Sequence, residues 1–403
     1  MKKLSEKKQT EKKTASGSEK TPTKSSTKTA SKEKEEKKVL RPPVEQLYYD
    51  ELEYLASIDK HTKPKNWFLS PHMLRIFVVG SSSSDKLSKK IEKKFYGNPN
   101  LVERAIVTLA SDRGLLLIGE PGTGKSWLAE LLAAGISRKS TLVVQGTAAT
   151  TEDQIKYSWN IAAVIAKGQS MDTMIPSPIM TSMENGQIGR FEELTRCTSD
   201  VQDSLISILS EKYIAIPELS DDNVIYAQEG FNVIATANSK DKGVNELSSA
   251  LKRRFNFVTI PIVTDQKTEK EIIEFRIQDL MERKGLAKKI PASLLEILLE
   301  TFKELRDVSL SARSDSDRLE SSLSTAEQIG ILEDAMLQST FFKDVTPAKA
   351  LAQSLIGGLT RRLPEDLTVM NKFWHSVIEK NKAKTEEWKN YYTEGQQTMK
   401  SFQ

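Results

Sequence analysis

The spacing of apolar residues changes three times along the chain. Met1 to Lys38 is built from Lys, Ser, Thr and Glu with no aromatic residue. Such a stretch buries too little surface to offset its ordering entropy, which predicts a disordered basic tail over 1–40. From Val39, Tyr48, Leu52 and Leu55 fall at helical spacing behind Pro42-Pro43, and Trp67-Phe68-Leu69 with Leu74 to Val79 form a second apolar block. Leu87, Ile91 and Phe95 follow at i, i+4 and i+8, with Lys86, Lys89, Lys90, Lys93 and Lys94 between them. That pattern predicts an amphipathic helix whose lysines form the wet face. Gly97-Asn98-Pro99 ends it and closes an N-terminal helical region at 41–96.

After Leu101, short apolar runs alternate with helical stretches. The expected helices are Ala105–Ala110 and Ser126–Ala134; the expected strands are Gly114–Ile118, Thr141–Val144, Phe231–Thr236 and Phe257–Ile260. Short buried strands separated by helices predict an α/β core with a parallel sheet over 97–265. Beyond Pro261 only the helical period remains. Ile273, Ile277 and Leu280 share a face, as do Leu294, Leu298, Phe302 and Leu305, which predicts an all-α domain over 266–379. Further helices are expected around 329–337, 348–355 and 373–378, and 380–403 reads as a charged tail or helix.

Charge changes the picture in one respect. Residues 1–40 hold 13 Lys and 6 Glu, so the overall +4 belongs to the tail and the remainder is mildly acidic. A mildly acidic body gives no support for nucleic acid as a partner. No apolar run approaches the ~18 residues that cross a bilayer, so membrane insertion is not expected, and no apolar segment follows Met1-Lys2-Lys3 as a secretory signal would require. One cysteine, Cys197, permits no intrachain disulfide, and a cytoplasmic setting is the simplest. With three scattered histidines, a structural zinc site is not expected.

The chemistry concentrates in the α/β part. Gly119-Glu120-Pro121-Gly122-Thr123-Gly124-Lys125-Ser126 fits G-x-x-x-x-G-K-[ST] between a buried strand and a helix. In that context the backbone N–H groups wrap phosphate oxygens, the helix N-terminus faces them, Lys125 neutralises the β/γ-phosphates and Ser126 ligates Mg²⁺. The adjacent carboxylates of Ile188-Gly189-Arg190-Phe191-Glu192-Glu193 are the acidic partner: Glu192 for the metal shell, Glu193 to orient or deprotonate the attacking water. An amphipathic helix (Val201, Leu205, Ile208, Leu209), a hairpin (Lys212–Pro217 with Val224–Tyr226) and a strand ending in Ala237-Asn238 follow. Arg253 and Arg254 then precede a further strand. Cys197 has no histidine nearby to activate it and reads as a packed residue.

This order of motifs resembles the AAA+ ATPases, and within them the MoxR family, closely over Leu101–Pro261 and more loosely beyond. The resemblance implies Walker A at Gly119–Ser126, Walker B at Glu192-Glu193, sensor 1 at Asn238 and an arginine finger at Arg254, with Arg253 in reserve. Pro176-Ser177-Pro178-Ile179-Met180 resembles the G-P-I-F segment, and the stretch between Val144 and Ile188 has room for the helix-2 insert. The chain departs from the family in carrying Glu192 where Asp is usual, in about five additional residues before the acidic pair, and in lacking the lid arginine of sensor 2. Ser324-Thr325-Ala326-Glu327 stands there as a capping box instead, leaving Arg361 or Arg362 as substitutes. What the resemblance implies is an ATP- and Mg²⁺-dependent ATPase working as a hexameric ring, a chaperone-type motor whose usual partners carry a von Willebrand factor A domain. The alternatives are a nucleic-acid-directed motor or restriction-system subunit, and a slowly hydrolysing ATP-gated scaffold.

Overall fold

The computed structural model describes residues 39–219, 223–238, 245–286, 289–312, 318–321, 323–362 and 364–402. The disordered tail expected at 1–40 lies outside them except for Val39 and Leu40.

The sheet consists of β1 (Gly114–Gly119), β2 (Val143–Gln145), β5 (Ile188–Glu192), β8 (Asn232–Asn238) and β9 (Phe255–Ile260), all parallel in the order β2-β5-β8-β1-β9. Helices cover both faces, so successive side chains of one strand enter different cores. Leu115 and Leu117 pack with Leu128, Leu131 and Leu132 of the P-loop helix (Lys125–Ser137). Leu116 packs on the other side with Phe191, Val233 and Ala235. The polar residue Asn232 is buried at the start of β8. Its amide donates to the carbonyls of Leu109, Ser111 and Arg113, pinning the turn before β1 to its neighbour.

Two antiparallel hairpins leave the sheet. β3 (Tyr157–Trp159) and β4 (Met174–Pro176) carry a short helix, Ile161–Lys167, at their tip, in the stretch with room for an insert. β6 (Tyr213–Ala215) and β7 (Val224–Tyr226) form the second hairpin before β8.

The N-terminal region packs into the core rather than standing beside it. Phe68 and Leu69 donate backbone N–H groups to Ile136 and Gly135 at the end of the P-loop helix. The helix expected over Leu87–Phe95 is absent: the segment is irregular, with the Ser81 N–H on Ile91 O and the Lys94 and Phe95 N–H groups on Val78 O. Ile91 and Phe95 are buried through these tertiary pairings, and Lys94 lies with them, bonded to Glu51 at 2.5 Å. Burial lowers its pKa, opposed by that carboxylate. The pattern that read as a wet helical face is an extended strap with one lysine turned inward.

Among the described residues the lid packs five long helices: Gln266–Arg283, Ala292–Ser311, Thr325–Phe341, Pro347–Leu359 and Glu386–Ser401, with Glu365–Phe373 between the last two. The segment set apart at 380–403 belongs to this domain. Trp388, Tyr391 and Met399 of the last helix enter the lid core, and Gly395 meets Trp374 so closely that a methyl group would overlap the indole. Its exposed face accounts for the charged composition.

Candidate active site

A cleft of about 720 Å³ opens between the C-terminal ends of the strands and the lid. Its floor is the P-loop. Gly122 and Gly124 take φ of 78° and 86°, values that let the loop turn its N–H groups inward and that disfavour a side chain. Gly119 is equally constrained: a Cβ would lie 2.5 Å from Ile260 O. Thr123 Oγ1 donates to Glu120 O at 2.9 Å, and Lys125 Nζ, buried, donates to the Gly119 and Glu120 carbonyls at 3.0 and 2.8 Å. Pro121 lines the opening.

Beside the loop stand the acidic pair and their supports. Glu192 ends β5 and is buried. Its Oε2 accepts from Ser126 Oγ at 2.7 Å and Thr236 Oγ1 at 2.6 Å, and its Oε1 accepts from Arg190 Nη2 at 2.5 Å. The added methylene relative to Asp therefore carries the carboxylate to the P-loop serine. Glu193 turns off the strand in the left-handed region at φ 57°, a conformation costing a non-glycine residue roughly 1–3 kcal/mol. Its neighbours hold it there. Its N–H donates to Thr236 Oγ1 at 3.0 Å, and Gly146 packs under its carbonyl where no Cβ fits. The turn brings the Glu193 carboxylate to Asn238, whose Nδ2 donates at 2.7 Å, with Arg196 Nε 3.4 Å from the same oxygen. Glu193 and Asn238 both face the cleft.

One carboxylate and one hydroxyl, hard oxygen donors 2.7 Å apart beside a phosphate-binding loop, fit Mg²⁺. That ion favours one or two protein oxygens completed by phosphate and water. Among the described residues no group of three His, Cys, Asp or Glu offers a competing site.

The lid closes the far side. Ser324 caps the helix Thr325–Phe341 and lies against Gly122, where a side chain would collide with its Oγ. A buried ion pair sets this helix start. Glu269 on the first lid helix is 1% exposed and receives Arg306 at 3.1 and 2.7 Å, Thr325 Oγ1 at 3.1 Å and Gln328 Nε2 at 2.6 Å. Asp265 caps the first lid helix; the Thr268 hydroxyl and N–H hold its carboxyl below the usual range.

Neither substitute for sensor 2 reaches the cleft. Arg361 pairs with Glu327 at 2.6 Å on the lid surface and Arg362 with the buried Asp366 at 2.9 Å, and neither arginine lines the cleft. The lid cation that does is Arg276 of the first lid helix, 5.0 Å over the ring of Trp127. Trp127 is itself fixed by its Nε1 on Lys94 O at 2.9 Å. Arg276 carries no motif, so only the packing of the lid reveals it. Arg190 and Thr236 were also missed. A charge inside a buried strand was the available signal for the first; for the second there was only its place two residues before Asn238, on the same strand face.

Arg253 and Arg254 lie elsewhere. Arg253 is exposed; Arg254 donates to Ser210 and, at 2.7 Å, to Ala250 O. They precede β9 at its N-terminal end, where Gly114 pairs with Phe255, five places from Gly119↔Ile260. At about 3.3 Å per residue they stand on the order of 17 Å from their own P-loop. Ser177 caps Pro178–Glu184 and ties it to Ile155, away from the cleft. Cys197 is buried, which pushes its thiol pKa up.

The comparisons with known proteins fall on the same regions. Residues 114–255 match the family described as AAA domain (dynein-related subfamily), and residues 267–398 match the YehL-like AAA+ ATPase C-terminal domain. YehL of Escherichia coli (strain K12) is 39% identical over 354 residues, 87% of this chain and 96% of that protein. YojN of Bacillus subtilis (strain 168) is 26% identical over 159 residues, 40% of this chain and 51% of YojN. Among solved structures, NtrX from Brucella abortus in complex with ADP shares 15% identity at a TM-score of 0.42, covering 60% of this chain and 49% of that one. The chain thus spans about half the length of NtrX.

Proposed function

From the premise that this chain belongs to the YehL-like AAA+ ATPases, we propose that it hydrolyses ATP and uses the cycle to remodel or activate a partner protein as a ring. The observation that carries the hydrolytic part is the convergence of Lys125, Ser126, Glu192, Glu193 and Asn238 at one end of the parallel sheet, with Asn238 bonded to Glu193 at 2.7 Å. The P-loop N–H groups bind the phosphates, and Lys125 exchanges its two loop carbonyls for β- and γ-oxygens. In this reading Glu193 accepts a proton from water held near the γ-phosphate, while Asn238 fixes the carboxylate and offers a donor to the same water. Ser126 and Glu192 would hold Mg²⁺, which would supply neutralisation of phosphate charge. Phe95 and Tyr96 of the N-terminal strap, with Ile262 and Ile329, offer apolar lining for the base.

The position of Arg254 supports assembly. It is too far from its own P-loop to meet a γ-phosphate, and a neighbouring subunit in a ring, hexameric by likeness to the MoxR family, provides a site for it. A partner with a von Willebrand factor A domain follows from that likeness, and the single cysteine favours a cytoplasmic setting. The test is ATP turnover and partner capture with one variant, Glu193→Gln. It should bind ATP, lose phosphate release, sediment as a ring with ATP and retain the partner through purification. Turnover at the wild-type rate would remove Glu193 from the reaction. A slowly hydrolysing ATP-gated scaffold is the second reading, favoured by Arg190 on the metal-facing carboxylate.

A further inference from the structure

Arg190 is a buried charge beside the site that the hydrolytic reading leaves without a role. Strand residues two apart share a face, so Arg190 and Glu192 of β5 point the same way. Ser126 and Glu130, four apart, share one side of the P-loop helix. Two strand residues span about 6.6 Å and four helical residues about 6 Å, so the two ladders come into register. Ser126 Oγ meets Glu192 Oε2 at 2.7 Å, and Arg190 Nη2 lies 3.5 Å from Glu130 Oε1. The same Nη2 is 2.5 Å from Glu192 Oε1. Nη1 anchors the guanidinium on Ser140 O at 2.8 Å, while the buried Nε has no hydrogen-bond partner among the described residues. The Arg190 and Glu192 side chains are only 6% and 7% exposed, so water screens their interaction little.

Arg190 therefore stands between two carboxylates, close to the one that faces the metal position and farther from the other. A divalent cation at Ser126 and Glu192 would share Glu192 with a guanidinium, and like charges on one buried carboxylate repel. We propose that Arg190 is the resident counter-cation of Glu192 and yields to Mg²⁺ by moving its pairing to Glu130, so that metal loading of the nucleotide site is a cation exchange set by Glu130. This rests on the nucleotide-site reading above. Nη2 already bonds Glu130 Oε1 at 3.5 Å, so the exchange needs only a tightening of that contact toward the ~2.8 Å of a charge-assisted bond, with Ser140 O as the pivot of the guanidinium. Arg190 weakens metal binding, and Glu130 strengthens it by receiving the displaced cation.

The experiment uses the full chain saturated with ADP and Mn²⁺ as the probe, with bound metal read from loss of the free-ion electron paramagnetic resonance signal. Glu130→Gln should weaken Mn²⁺ binding and Arg190→Gln should tighten it, each by about tenfold for a unit charge near the ion in a partly screened site. Equal or weaker binding by Arg190→Gln would overturn the exchange. The double variant separates pairing from field. The loss at Glu130→Gln should be at least about threefold larger with Arg190 present than in the Arg190→Gln background. Equal losses in both would mean that Glu130 acts through its field alone, and the exchange would fall. If Arg190→Gln does not melt cooperatively, Arg190→Lys replaces it. A point charge on another stem does not bridge two carboxylates as a fork does, so the coupling should again shrink. ADP affinity in EDTA, expected to vary less than twofold among the variants, distinguishes the failures. Absence of ADP binding with and without metal would overturn the nucleotide-site reading and the exchange with it.

Discussion

The two walls of the cleft are held by different physics. On the core wall, each reactive group ends a buried strand or starts the P-loop helix and is fixed by bonds of 2.5–3.0 Å to its neighbours, as Glu192 is by Ser126, Thr236 and Arg190. The lid wall is set as a surface instead. A helix start is set against Gly122 by a buried carboxylate, Glu269, three residues of its own domain and a separate apolar core. The difference shows where precision is needed. Proton transfer and metal binding depend on individual atoms, which strand ends locate through the register of the sheet. Closing over a nucleotide depends on a surface, which a helix bundle locates as a unit.

Four measurements would break or sharpen that contrast. The largest effect is expected outside both walls. Arg254→Ala should keep ATP binding and lose turnover by about 10³–10⁵, the range seen for arginine fingers. Mixing it with Glu193→Gln should restore part of the rate, once chromatography shows that subunits exchange. Full turnover by Arg254→Ala alone would move the role to Arg253. On the core wall, Glu193→Gln should slow single-turnover hydrolysis by about 10²–10⁴ with nucleotide affinity little changed, as for a general base. On the lid wall, Glu269→Ala leaves the half-buried Arg306 guanidinium without its carboxylate. The expected cost is about 3–5 kcal/mol in urea unfolding, with an early lid transition. A variant as stable as wild type would show that the pair does not set the lid. The smallest effect belongs to the surface pair. Arg361→Ala should change stability by less than about 1 kcal/mol and nucleotide affinity not at all. A fall in affinity would return Arg361 to a sensor-like role.

The core wall was the readable one. Gly119–Ser126 and Glu192-Glu193 are contiguous, and contiguous motifs survive in one dimension. The wet-helix reading of Leu87–Phe95 failed because i, i+4 spacing also fits an irregular strap whose burial comes from pairing with Val78 and Ser81. Of the two readings of the charged end, tail or helix, the helix holds, because Trp388, Tyr391 and Met399 occupy one stripe of Glu386–Ser401 whose other faces are polar. Arg276 and the Glu269 network escaped notice because their partners lie tens of residues away.

The sequence by itself determined the phosphate loop, the acidic pair, the strand that ends in Asn238 and the alternation of strands and helices, since each is written in local spacing or in short apolar runs. Tertiary structure alone decided where the cations outside that loop lie. It turned Arg361 onto Glu327 and Arg362 onto the buried Asp366, set Arg276 over Trp127, and wedged Arg190 between Glu192 and Glu130. A charge acts through what lies within a few ångströms of it, and for these residues that neighbourhood is assembled from distant parts of the chain.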